Sequence, residues 1–252
     1  MFQGLEAAPI AQLPNESPSR NIPDLALLQR RLTSVLSAVA GTVDVISFVS
    51  LKLFAAHITG NLVVIAAMLV SGGPPRMDQI LAVPVFFVAV ALVWLIARRF
   101  DRPGHSLVRV LLLVHLLLLT CVLIYSIISH PDANPRGLAS DVAAMLAVSA
   151  MACQWGLLRL AVPGAPSTAV MTGNLARTIL SLLDSLAQNE KGHDAREQLK
   201  RSLELVFPFF AGCLAGAVAV AHFGDWAWSL PVLLAVAALL LVPAARSELR
   251  HS

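Results

Sequence analysis

The 252-residue sequence predicts an all-α, polytopic membrane helix bundle. Three observations predict it: the composition, a series of long apolar runs, and the placement of the basic residues between them. Hydrophobic residues make up 57% of the chain and charged residues 13%, with a mean hydropathy of +0.76. A soluble domain carries about 25% charged residues, so this chain has too little polar surface to face water on all sides. The net charge is +3, but the Lys and Arg side chains are not pooled into a nucleic-acid patch. They sit in short clusters between apolar runs, as membrane topology requires.

A membrane span needs about 20 mostly apolar residues. Leu32–Leu53, Ile80–Ala97, Leu107–Ile128, Val142–Leu160, Leu205–Phe223 and Trp228–Ala244 come close. Ile58–Val70 is apolar but short. Ala169–Leu186 carries Arg177 and Asp184, which do not suit a lipid-facing helix. If neither of these two crosses, the cytoplasm receives Arg20, Arg30 and Arg31, the Arg98–Arg109 cluster, the Lys191–Arg201 cluster, and Arg246 and Arg250. Among the loop residues, only Lys52, Arg76 and Arg136 then fall outside. The prediction is about six transmembrane helices with both termini cytoplasmic, in a cell inner membrane. The stretch 1–29, with Glu6, Glu16, Asp24, Pro14, Pro18 and Pro23, reads as a disordered cytoplasmic tail. It lacks the basic-then-apolar order of a signal peptide. One transmembrane domain fills 30–245, and 246–252 is a second cytoplasmic tail.

The domain contains an internal repeat, with halves 30–130 and 138–245. His57-Ile-Thr59-Gly60-Asn61-Leu62 resembles Val170-Met-Thr172-Gly173-Asn174-Leu175. Each Thr-Gly-Asn follows a long apolar run bearing one polar residue, Asp44 in the first half and Gln154 in the second. A short apolar run and two spans follow each motif. With three crossings per half, the halves have opposite orientation. Such inverted-topology repeats are common in transporters, which place substrate near the midplane where discontinuous helices meet.

Thr, Asn and Gly are favoured around helix N-caps. A cap at Thr59 or Asn61 would start a half-helix running to about Leu69, and Thr172-Gly173-Asn174 would start a mirror half-helix. The exposed N–H groups and positive dipole ends of two such half-helices suit a polar or anionic solute. A plainer reading has each motif capping a short helix and packing the two repeats together. Either way the motif lies in the protein interior, because irregular backbone at membrane depth must be buried or line a cavity.

A carboxylate within a span, as at Asp44, is a functional candidate by default; its plainer alternative is a structural ion pair. Arg177, one turn into the second half-helix, is read as pointing inward, as the counter-charge of Asp44 or an anion contact. His57 adjoins the first motif and titrates near neutral pH. Gln154 reads first as an interhelical hydrogen-bond partner, and His115 as a hydrogen-bonded core residue. Arg159, near a helix end, snorkels. Gly212 and Gly216 form a GxxxG that permits close helix packing. Cys121, Cys153 and Cys213 read as buried hydrophobes without metal-ligand spacing. The stretch 184–204 alternates in charge and reads as a solvated cytoplasmic helix. No P-loop, GxSxG, HExxH or dinucleotide fingerprint is present, and the sequence predicts neither an enzyme nor a cofactor or metal.

Gly41-Thr-Val-Asp44-Val-Ile-Ser-Phe48, Phe54-Ala-Ala-His-Ile-Thr-Gly-Asn61, Gln154 and Met171-Thr-Gly-Asn174 together resemble the YoaK family of multi-spanning bacterial membrane proteins, a domain of unknown function. The resemblance covers roughly 30–245. Ala56 and His57 depart from the small or polar residues that the resemblance implies there. It implies a multi-spanning inner-membrane protein and no established substrate.

The sequence therefore predicts a transporter or channel for a small polar or anionic solute, with the lipid bilayer as its surroundings and no nucleic-acid partner. Thr59, Gly60, Asn61, Thr172, Gly173 and Asn174 would face the solute. Asp44, His57, Gln154 and Arg177 would couple or gate. A homo-oligomer is compatible with the sequence. The competing reading is a non-conducting membrane scaffold or interaction protein; an intramembrane enzyme ranks third.

Overall fold

The computed structural model describes residues 22–72, 76–100, 104–134, 136–162, 164–165, 168, 171–186 and 192–243. The tail expected at 246–252, and most of the one expected at 1–29, lie outside the described residues. Among the described residues the chain is all α, with no strand. Eight α-helices follow in order: α1 Ile22–Ile46, α2 Ile58–Val70, α3 Met77–Ala97, α4 His105–Ser129, α5 Leu138–Leu160, α6 Met171–Leu186, α7 Gly192–Phe223 and α8 Ser229–Leu241. Helix α1 begins at Ile22, inside the stretch expected to be a tail. It continues as a π-helical turn, Ser47–Leu51, which ends at Lys52 in the left-handed region at φ 60°.

Five helical runs are long and apolar enough to cross a membrane: Leu27–Leu51, Met77–Ala97, His105–Ser129, Leu138–Leu160 and Asp194–Leu241. The last joins two of the runs expected to cross separately. The chain nonetheless reverses within it, at a 3-10 turn, Gly224–Trp228, that opens on Gly224 at φ 53°. The end of α8 packs with the start of α1, since Ala238 and Val242 share a core cluster with Leu32 and Leu36. Trp228 and Ala235 join Val43 and Ile46 at the other end. Helix α7 runs the opposite way, parallel to α1. Its 32 residues give about 48 Å at 1.5 Å per residue, longer than a bilayer core of about 30 Å. The surplus is the charged first part, from Asp194 to Arg201, which was expected as a separate surface helix.

Helices α1 and α5 form the centre. In each, 67% of the membrane-length window is buried, against 17% in α3. Helix α5 achieves this with small residues, burying Ala143, Ala144, Ala147, Ala150, Ala152 and Gly156. Helix α1 packs on α7 and α8; α5 packs on α3 and α4; α4 meets α8; α2 lies on α3 and α6 on α7. The α1–α7 seam is the closest approach. A Cβ on Gly212 would run into the Ala38 carbonyl oxygen, and one on Gly41 into the Phe209 carbonyl oxygen. A Cβ on Gly216 would lie 3.0 Å from the Thr42 carbonyl oxygen. The Gly212–Gly216 pair thus lets two backbones touch, as small residues do between membrane helices. Large apolar side chains point outward instead, among them Leu62, Phe87, Leu117, Ile128, Phe207, Leu214 and Leu233. An exposed apolar surface of this extent is the coat of a membrane protein.

Candidate functional site

The six residues after the π-turn are not helical, and this break builds the site. Helix α2 is only 13 residues long, about 20 Å. Its N-cap is His57, with no side-chain cap bond. Thr59, Gly60 and Asn61 therefore lie inside the first turn of α2, and Thr172, Gly173 and Asn174 inside the first turn of α6, which begins at Met171. The first motif does not supply the cap that its residue types suggested.

Asn61 is fully buried and turns its amide back on the preceding loop. Its Oδ1 accepts from the Phe54 N–H at 2.9 Å, and its Nδ2 donates to the Phe54 carbonyl at 2.8 Å. The Phe54 ring packs over Gly60, where a Cβ would lie 2.9 Å from it, and stacks on Phe48 with centroids 4.7 Å apart. The first motif thus clamps the break. Thr59 is exposed.

With the loop so held, Asp44 receives it. The carboxylate is 4% exposed. Its Oδ1 accepts from the Ala56 N–H at 2.7 Å, and its Oδ2 pairs with Nδ1 of His57. Edge-on contact with Phe209, at 5.5 Å between centroids, packs the imidazole against α7. The other imidazole nitrogen, Nε2, is buried and has no hydrogen-bond partner. Asp44 lies about two-thirds along the first span, Leu27–Leu51. Its counter-group is His57, not Arg177. Helix α6 buries Asn174, Thr178 and Ser181, spaced four and three residues apart on one stripe. Arg177 falls one position off that stripe and is exposed.

Gln154 holds the segment ahead of α6 as Asp44 holds the one ahead of α2. It is 1% exposed, and its Nε2 donates to the Leu36 carbonyl at 2.9 Å and to Thr168 Oγ1 at 3.2 Å. Thr168 precedes α6 as Ala56 and His57 precede α2. Asp44 and Leu36 are eight residues apart on α1, about 12 Å. The first segment thus closes on α1 itself, and the second closes on Gln154 of α5, which is tied in turn to α1 at Leu36. The Oε1 of Gln154 is buried and unpartnered.

A second polar cluster, which the sequence offered only as a loop charge, seals the end of α1. Arg76 and Asp78 form a buried ion pair with contacts of 2.5 and 3.1 Å. Arg76 also donates to the Leu51 carbonyl at 2.9 Å, and Gln79 Nε2 to the Lys52 carbonyl at 3.0 Å. These bonds satisfy carbonyls that the end of the π-turn leaves open. The signal available in the sequence was Arg-Met-Asp-Gln immediately ahead of an apolar run, with an acid in the first turn of its helix.

The remaining candidates are structural. His115 is fully buried with Nδ1 at 2.8 Å from the Ala150 carbonyl. Cys153 is buried, Cys121 and Cys213 half-buried, and all three are free thiols. Arg159 is exposed in the last turn of α5. Among the described residues one group, His130, Asp132 and Asp225, brings metal-ligand atoms within 4.8 Å of one another. Two of its three members are exposed.

No curated protein and no solved structure matches the sequence. The family of proteins of unknown function designated DUF1275 matches residues 32–242, from the first buried turn of α1 to the end of α8. The chain belongs to that family, and its apolar helices make it a membrane protein of the family.

Proposed function

We propose that this protein is a transporter or channel for a small polar or anionic solute, with six crossings, both termini cytoplasmic and two inverted halves, in the inner membrane. The observation that carries the reading is the Asp44–His57 pair. A carboxylate buried in a span is expensive, and here its partner is a titratable ring carried on a helix break. A buried carboxylate paired with an imidazole, whose second ring nitrogen is buried and unpartnered, is the kind of group that could couple transport to a proton.

The inverted repeat has its own support. Exchanging α1 with α5, α2 with α6, α3 with α7 and α4 with α8 maps the helix packing onto itself. The α1–α7 contact becomes α5–α3, α1–α8 becomes α5–α4, α2–α3 becomes α6–α7, and α4–α8 is its own mate. Helices α3 and α7 each carry an internal proline, Pro84 and Pro208. Under the exchange Asp44 answers to Gln154, and each holds the segment ahead of its short helix. The solute path would run between the two segments along α1, past the polar stripe of α6.

The scaffold reading draws on the α1–α7 seam, whose backbones touch at Gly41 and Gly212. Reconstitution separates the two. Proteoliposomes are loaded in turn with small carboxylates, amino acids, polyols and inorganic anions, and efflux is followed with and without a pH gradient. The transporter reading expects one class to leave faster than from empty liposomes, with Asp44→Asn losing the response to the gradient. Efflux at the empty-liposome rate throughout, or an Asp44→Asn protein indistinguishable from the parent, contradicts it.

A further inference from the structure

A cleft of about 290 Å³ opens at the start of α1, lined by Arg30, Thr33 and Ser34, by Glu204 of α7, and by Gly164 and Ala165. Arg30 lies across it. Its Nε and Nη2 donate to the two carboxylate oxygens of Glu204 at 2.7 and 2.5 Å, a forked pair joining α1 to α7. Such bidentate pairs fix geometry as well as charge. The Ser34 hydroxyl donates to the Glu204 carbonyl at 2.6 Å, and one turn deeper Ser37 donates to the Leu205 carbonyl at 2.7 Å.

The cleft leads toward the second motif. Gly164 and Ala165 belong to the segment that carries Thr168. Thr33 lies about one turn from Leu36, whose carbonyl holds Gln154. One turn beyond the lining residue Ser34, Ser37 is fully buried in the α1–α7 seam. Both partners of the fork are one-third exposed. A pair exposed to that degree is open to water, which suits a contact that must break and reform.

We propose that the cleft is the cytoplasmic mouth of the solute path and that the Arg30–Glu204 fork is the latch that closes it. This rests on the transporter reading, but its test needs neither solute nor flux. In a protein whose three native cysteines are replaced, a single cysteine is placed at Ser37. Inside-out vesicles are then labelled with a membrane-impermeant maleimide. With the fork intact, labelling is slow. Arg30→Gln and Glu204→Gln each raise the rate at least tenfold, and the charge exchange Arg30→Glu with Glu204→Arg returns it toward the parent. Size-exclusion elution as a single peak establishes that each variant is folded. Single variants that label at the parent rate overturn the latch. An exchanged pair that labels as fast as the single variants overturns it too, because opening would then reflect damage rather than loss of the pair. Labelling that follows the latch, in a protein that moves no solute, would leave the latch standing and remove the transporter reading alone.

Discussion

Replacing Asn61 with alanine tests whether the first Thr-Gly-Asn motif holds the chain rather than the solute. The substitution strips both partners from the Phe54 peptide, an N–H bonded at 2.9 Å and a carbonyl bonded at 2.8 Å. A buried backbone group left without a partner costs about 1–3 kcal/mol. Two such groups, both part-buried, cost about 2–5 kcal/mol together. For a chain of this length, 1 kcal/mol shifts the midpoint of thermal unfolding by about 2–4 °C, so Asn61→Ala should melt about 4–20 °C below the parent. Asn61→Asp keeps the acceptor, loses the donor, and buries a charge where the donor was, so it should not recover the loss. Thr59→Ala, at an exposed position in the same turn, should leave the midpoint within about 1 °C. Thermal unfolding in detergent, followed by circular dichroism, reads all three. An Asn61→Ala protein that melts with the parent would refute the clamp. The motif would then be free to face a solute directly, as its sequence suggested.

Other outcomes follow from the same geometry. Gly212→Ala drives a methyl into the Ala38 carbonyl and should cost about 1–3 kcal/mol; Gly216→Ala, with 3.0 Å of clearance, should cost less, and Gly104→Ala, with open space around it, almost nothing, all read as midpoints in the same assay. Arg76→Gln leaves Asp78, fully buried, without its cation and should cost about 3–5 kcal/mol. Replacing both at once, Arg76→Met with Asp78→Leu, should recover only part of that in the same melts, because the Leu51 carbonyl still loses the Arg76 donor. Arg177→Ala removes an exposed side chain off the buried stripe of α6 and should shift stability by less than about 0.5 kcal/mol.

Much of the fold was legible because lipid imposes a simple rule. A helix must be apolar and about 20 residues long to cross, and the runs at Ile80–Ala97 and Leu107–Ile128 reappear as α3, Met77–Ala97, and α4, His105–Ser129, with each start a few residues earlier. The start of α7 was not legible as part of a span. Its residues from Asp194 to Arg201 are charged and amphipathic, and nothing local distinguishes a helix that stops at Leu205 from one that runs on. The site was half legible. Asp44 stood out as a carboxylate in a span, and His57 as a titratable neighbour of the motif. Their pairing crosses a non-helical loop, so helical periodicity could not reveal it. Arg177 was misplaced for a related reason: one turn past a motif fixes height along a helix, while a single residue turns a side chain by about 100°. Arg30 was counted as a topology charge and Glu204 fell at the end of the charged stretch 184–204, because each is unremarkable within its own segment and only the α1–α7 seam brings them together.

The central claim is that two halves of opposite orientation each carry a broken-helix motif. The most direct test places one cysteine at Gly72, just past α2, and another at Asp184, near the end of α6, each exposed. Labelling with an impermeant thiol reagent is compared between intact cells and inside-out vesicles. The account predicts Gly72→Cys labelled only from outside and Asp184→Cys only from the cytoplasmic face. Labelling of both from the same side would make the halves parallel and contradict it.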